Sequence, residues 1–259
     1  MSVEIHEVAR HEGEPIHEAS LVSDAARVRL LSWGAALRDW RAPVAGGWRP
    51  CTLGLARVDD YPAHSPAFGA ICGRVANRIG GARFALEGRE VRLTPNEGRN
   101  LLHGGRGLGR RIWRMQAAEG GVLLSHDSPD GEDGFPGAVA FEVFVRLEGA
   151  RLIYEMHGRP DRPTPINLAQ HAYWNLDGGG EVLDHRLRLD ADAWAEVDAE
   201  KIPTGRLIPA GEGLPDFRAG RSLRGEDGQG IPVDHAYALS ARRDPARPAA
   251  ELLGSTGDL

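Results

Sequence analysis

Thirty-one Lys and Arg against 37 Asp and Glu leave this 259-residue chain with a formal net charge of −6, which argues against nucleic acid or an anionic membrane as partner, since both select a basic surface. A hydrophobic content of 41% with 26% charged residues is ordinary for a globular chain, and the length suits one large domain, 1–259, with a sizeable core. Cys51 and Cys72 make neither a disulfide framework nor a metal-type spacing; the charged N-terminal stretch has no apolar signal segment and no apolar run is long enough to span a bilayer, so the expected location is cytoplasmic.

In chain order, the predicted elements are almost all strands. "RVDDYPA" carries one helical turn, and no stretch sustains a period of 3.6. "ARFALEGREVRLTPN" reads as a hairpin turning at Gly88, and "RIWRMQAAEGGVLLSHD" as another turning at Gly120 and Gly121. In "AVAFEVFVRL" the residues Val139, Phe141, Val143, Val145 and Leu147 alternate onto one face, as a half-buried strand requires. "RLIYEM" follows across the short turn "EGA". "HRLRLD" places Leu187 and Leu189 opposite Arg186, Arg188 and Asp190, and "AELLGSTGDL" reads as a strand, a turn from Gly254 to Gly257, and the start of a returning strand. With 34 glycines and 17 prolines punctuating short strands, the expected architecture is a large antiparallel β-sandwich.

Four stretches concentrate polar groups. "GRVANRI" sets Arg74, Asn77 and Arg78 among small apolar residues; such a fork of donors can grip adjacent hydroxyls, or simply form an ion pair on an edge strand. In "NLLHGG", His103 precedes two glycines that leave space for a ligand beside the imidazole, or merely mark a turn. "PTPINLAQHAYWNL" starts extended because of its prolines. As a strand it would put Asn167, Ala169, His171, Tyr173 and Asn175 on one face, suited to a sugar ring, although His171 could equally be a satisfied core residue. In "PVDHAY", Asp234 could accept from a substrate hydroxyl or cap a turn. The histidines lie too far apart in sequence for a usual zinc spacing, there is no G-x-S-x-G elbow, and the glycines of "HGGRGLG" open no visible helix that would cradle a phosphate. No metal is expected.

"GRVANRIGGARFALEG", "NEGRNLLHGG", "SPDGEDGFPG", "NLAQHAYWNL", "DHRLRLDAD", "IPTGRLIPA" and "PVDHAY", in this order, resemble the landmarks of the aldose 1-epimerase (galactose mutarotase) family, from about "LSWGAALRDWRAP" to Tyr237. The resemblance implies a galactose mutarotase-like supersandwich with a sugar lying across a concave sheet. It implies His171 as general acid to the ring oxygen, His103 as a second catalytic histidine contacting the sugar, Asn77 and Arg78 as the gripping pair, Tyr173 as a lining residue, and Asp234 as acceptor from sugar hydroxyls. It implies an aldohexose substrate and no cofactor. The chemistry suits the residue types, because each acid or base so placed contributes typically about 10²–10⁴ in rate, and imidazole, with an ordinary pKa near about 6.5, exchanges a proton at neutral pH.

The family's general base is a glutamate on a late strand, beyond the counterpart of Asp234. The sequence printed ends at Leu259 before any such stretch, so the sandwich is expected to lack its C-terminal strands and the base to be missing. Glu251 lacks the expected surroundings. The chain by itself is therefore expected to be poorly soluble or a weak sugar binder, with anomerisation near the buffer background. Two alternatives stand beside the epimerase: a non-catalytic sugar-binding relative, and an epimerase of hexose 6-phosphates, which would want extra cationic groups.

Overall fold

Short apolar alternations broken by glycine cannot wind a helix but can pleat, and strands are what form. The structure, a computed structural model, describes residues 2–64, 67–257 and 259. The chain divides into two units, residues 1–174 and 175–259.

The first unit opens with an antiparallel meander of five strands: β1 (Ser2–His11), β2 (Glu14–Val22), β3 (Arg27–Leu31), β4 (Ala36–Val44) and β5 (Gly47–Pro50). One turn of helix, α1 (Asp60–His64), buries Tyr61, in line with the predicted turn at "RVDDYPA". Short strands follow: β6 (Ile71–Cys72), β7 (Arg78–Ile79), the hairpin β8 (Arg83–Leu86) and β9 (Arg89–Arg92), and β10 (Leu101–Leu102). A second meander then runs through β11 (Arg114–Ala118), β12 (Gly121–Ser128), β13 (Val139–Glu148) and β14 (Arg151–Pro160), before the two-residue β15 (Ala169–Gln170).

The β8–β9 hairpin turns through Glu87 and Gly88, both at positive φ, which is the left-handed geometry a two-residue hairpin turn prefers. The β11–β12 turn sits one residue earlier than expected. Ala118 pairs with Gly121, so Gly121 is a strand residue, and a Cβ there would lie 2.2 Å from the Val145 carbonyl oxygen. On β13, Val139, Phe141, Val143, Val145 and Leu147 are all buried. They pack with Leu21, Val28, Leu30 and Leu37 of the first meander and with Val122 and Leu124 of β12, so the two sheets close one sandwich core.

The second unit holds two three-stranded antiparallel sheets. β16 (Arg186–Leu189) is central to one, between β19 (Arg221–Ser222) and β21 (Ala250–Leu253); β17 (Ala191–Val197) is central to the other, between β18 (Pro203–Pro209) and β20 (Tyr237–Leu239). β21 runs into a turn closed by Gly257 N–H donating to the Gly254 carbonyl at 3.1 Å. Among the described residues no helix is long and apolar enough to cross a membrane.

Among the described residues of the first unit, one charge is buried. Arg74 is 2% exposed. Its Nε donates to Ser128 Oγ at 2.9 Å, Nη1 to the carbonyls of Gly137 (2.8 Å) and Pro136 (3.2 Å), and Nη2 to those of Pro129 (2.8 Å) and Ser128 (3.2 Å). Burial pulls its pKa down, while the nearby Glu132 carboxylate opposes that. The guanidinium thus closes the Ser128–Gly137 loop, and of the three donors in "GRVANRI" it is the one that cannot reach a ligand.

Two predictions follow from these buried groups. Arg74→Met strands several carbonyls and should lower unfolding free energy by about 3–5 kcal/mol in chemical denaturation; Arg74→Lys should recover little, because an ammonium cannot span the same fork. His126 on β12 has a buried, unpartnered Nε2, and burial holds its pKa below the ordinary imidazole value. The unfolded chain therefore takes up that proton first, so stability should fall as pH drops below about 6.5 and level off once the folded imidazole also titrates. His126→Gln should flatten that slope in pH-dependent denaturation.

Candidate functional site

The site is assembled around one extended segment, residues 69–79, which pairs with two distant stretches. Toward the first, Cys72 and Ile71 of β6 pair with Ala169 and Gln170 of β15. Asn167 N–H donates to the Arg74 carbonyl at 2.8 Å, and Ala76 N–H to the Asn167 carbonyl at 2.8 Å. His171 N–H donates to the Ala70 carbonyl at 2.9 Å, and Gly69 N–H returns a bond to the His171 carbonyl at 3.0 Å. Toward the second, β7 pairs with β10, and the next residue, His103, donates its N–H to the Asn77 carbonyl at 2.9 Å. One segment, pairing through β6 with one stretch and through β7 with the other, brings His103 and His171 together.

Asn77 N–H in turn donates to His103 Nδ1 at 3.1 Å. With Nδ1 accepting, the neutral imidazole carries its proton on Nε2. Both residues sit in the left-handed region, Asn77 at φ 63° and His103 at φ 53°, a costly geometry for a side chain but one in which asparagine and histidine are found more often than most. The His103 and His171 rings meet edge to face at 5.1 Å, and the Tyr173 ring lies 5.1 Å from His171. Tyr173 is 40% exposed and also packs edge to face on Phe68. The result is a partly open aromatic and imidazole surface. His171 is half-buried and belongs to this surface, not to the sandwich core.

Arg78 gives Nε to Glu97 Oε2 at 2.6 Å and Nη2 to Oε1 at 2.8 Å, with Nη1 3.5 Å from Asn77 Oδ1. The edge-strand ion pair considered from the sequence is thus real, and it holds Arg78 beside Asn77. Glu97 is a neighbour of the candidate site that the sequence did not single out; its place in "NEGRNLLHGG" was the one signal for it.

Several expectations need correction. Gly104 does not leave open space beside His103: a Cβ there would lie 2.0 Å from the Gly73 carbonyl oxygen, so the glycine serves close backbone packing. The expected five-residue strand face is also broken. Only Ala169–Gln170 is strand, Gln170 bonds the Gly69 carbonyl and Ala172 N–H, and Asn175 spends its amide on Gly180 and Asp177 in a local turn. In the second unit, Asp234 is exposed and pairs with Lys201 Nζ at 3.4 Å. His185 is fully buried and accepts from Leu176 N–H at 2.9 Å, a structural role. Glu251 pairs with Arg188 at 2.8 Å, as Glu155 in the first unit pairs with Arg146 at 3.1 Å.

Cys72, one residue before Gly73, is buried beside both histidines. Its sulfur and one nitrogen from each of His103 and His171 lie within 4.8 Å of one another. Sequence spacing argued against a metal centre because the three donors come from three separate stretches. Burial pushes the Cys72 thiol up to about 12, so it rests as a neutral thiol and is a poor nucleophile.

Comparison with known proteins gives this β-sandwich a family. The family model described as aldose 1-epimerase matches residues 19–253, and the chain belongs to that family. The galactose mutarotase of Sus scrofa is 38% identical over 198 residues, which is 75% of this chain and 58% of the pig protein. The aldose 1-epimerase of Haemophilus influenzae is 36% identical, covering 96% of this chain and 75% of its own. The chain thus spans somewhat over half to three quarters of these relatives. An aldose epimerase homologue from C. elegans superposes with a TM-score of 0.84 at 30% identity, over 92% of this chain and 75% of that one. A galactose 1-epimerase from Lactobacillus acidophilus gives 0.83 at 26%, over 97% and 76%.

Gly69 tests how the site is held. It sits at φ +64°, and a Cβ would lie 1.9 Å from the Leu37 carbonyl oxygen. Gly69→Ala should destabilise the fold by at least about 2 kcal/mol, and should shift the imidazole resonances of His171 and His103 in NMR spectra.

Proposed function

We propose that the chain binds an aldohexose of the galactose or glucose class at the His103, His171 and Tyr173 surface, and that His171 is the general acid of anomer interconversion. The observation that supports this best is the convergence of two imidazoles from distant stretches, 5.1 Å apart beside a partly exposed tyrosine. In this reading His171 protonates the ring oxygen while the anomeric hydroxyl gives its proton to a water molecule. The bond from the anomeric carbon to the ring oxygen breaks, and the aldehyde forms. Rotation about the adjacent carbon–carbon bond and reclosure on the opposite face invert the centre, with the protons returned. No electrons are gained or lost, so the reaction calls for no redox cofactor.

The other residues have supporting roles. His103, with its proton on Nε2, is a donor to the sugar, and Tyr173 offers a ring face to its C–H groups. Asn77 and Arg78 grip hydroxyls, the latter with the direction set by Glu97. Asp234 is proposed as an acceptor from further hydroxyls. We also take 1–259 as a single mutarotase-like domain, since the family match runs through both units. A second reading, a sugar-binding relative without turnover, draws support from Glu251. It is the late carboxylate weighed for the base from the sequence, and it is engaged by Arg188.

Polarimetry of α-galactose, with ligand-observed NMR for binding, separates the readings. For the epimerase, His171→Asn in an otherwise complete enzyme should keep sugar binding and lose about 10²-fold or more in rate. Saturable binding with anomerisation at the buffer background in that complete enzyme selects the binding relative, and glucose 6-phosphate preferred over glucose selects a phosphohexose epimerase. Absence of both binding and turnover overturns the assignment.

A further inference from the structure

We propose that Cys72, His103 and His171 form a binding site for a thiophilic divalent ion of the zinc class, overlapping the sugar site so that metal and sugar exclude each other. The overlap rests on the sugar reading above; the metal site does not.

A thiolate with two imidazoles is a donor set that zinc favours, leaving a fourth position for water. Zn–S bonds of about 2.3 Å and Zn–N bonds of about 2.0–2.1 Å set tetrahedral donors about 3.4–3.6 Å apart. The three donor atoms here lie within 4.8 Å of one another, so closure by about 1 Å, through small side-chain rotations, completes the site. A cavity of about 50 Å³ adjoins two of the three donors, Cys72 and His103, with Asn96, Leu102 and Arg110 also in its lining, and His171 must turn toward it. Cys51 does not compete for this role. Its sulfur bonds the Arg49 carbonyl at 3.5 Å, whereas no hydrogen bond holds the Cys72 sulfur among the described residues.

The same geometry limits the affinity. His103 Nδ1 already accepts from Asn77 N–H. An ion must therefore either take Nδ1 or draw its lone pair from Nε2, which moves the ring proton onto Nδ1. Each route breaks the Asn77 bond. The ion must also displace the proton of a buried thiol. This describes an inhibitory site that fills when metal is abundant, and the displaced Asn77 amide is its internal reporter.

The test is cobalt(II) titration of the reduced chain, followed by the thiolate-to-cobalt charge-transfer absorption and by the Asn77 amide resonance. The absorption should saturate at one ion per chain, shift the Asn77 amide, vanish in Cys72→Ser and persist in Cys51→Ser. Should Cys72→Ser fail to fold, His103→Ala serves instead and should weaken cobalt binding at least 10-fold. Galactose at ten times its own Kd should raise the cobalt needed for half-saturation about 11-fold. No charge-transfer absorption in the parent chain, or absorption that survives Cys72→Ser, overturns the metal site. Absorption that appears as expected but ignores galactose supports the metal site and counts against the sugar lying on these imidazoles.

Discussion

A buried guanidinium organises the first unit. Arg74 sits at 2% exposure with its donors directed to Ser128, Pro129, Pro136 and Gly137. A charge taken out of water is costly unless its hydrogen bonds are met, so the loop must wrap it in this conformation or the segment must leave the interior. The segment that carries Arg74 is the one that pairs with both the His103 and the His171 stretches. The loop, the central segment and the imidazole pair therefore depend on one another, and the sandwich core beneath supplies the rigid floor.

Placement of the two histidines follows from backbone bonds more than from side-chain contacts. His171 is held at both its N–H and its carbonyl by residues 69 and 70, and His103 and Asn77 clasp each other by two reciprocal bonds. The clasp has a chemical consequence, because it decides which ring nitrogen of His103 carries the proton. Left-handed backbone at Asn77 and His103 is the strain that this clasp offsets. Two further groups flank this frame: Tyr173 is partly exposed, and Arg78 is kept in line by a two-pronged bond to Glu97.

Arginine dominates the cation set, and its forked geometry shapes where carboxylates are found. Glu97, Glu155 and Glu251 each meet an arginine, and Asp234 meets Lys201. The exposed pairs of Glu155, Glu251 and Asp234 add little stability, about 0–1 kcal/mol each. Their effect is to orient and occupy groups that would otherwise be open to a ligand.

By itself the sequence determined the strand-rich fold, the register of β13 and the β8–β9 hairpin, because period-two alternation and left-handed turn residues are local signals. The motifs in order also pointed to the family and to His103, Asn77, Arg78, His171 and Tyr173 as a set. The first meander escaped any periodic reading, since buried runs such as "VRLL" on β3 alternate only in part before a fully buried end. Arg74 read as a ligand-gripping donor, although the loop that buries it comes more than fifty residues later. Gly104 read as open space, and Asn175 as part of a strand face, because neither Gly73 nor the local turn at Asp177 can be seen from spacing. Cys72 showed no metal-type spacing in the sequence, and only pairing through residues 69–79 set it beside two imidazoles. Convergence of side chains from separate stretches is a property of the packed chain, decided by which strands share hydrogen bonds and not by any window of residues.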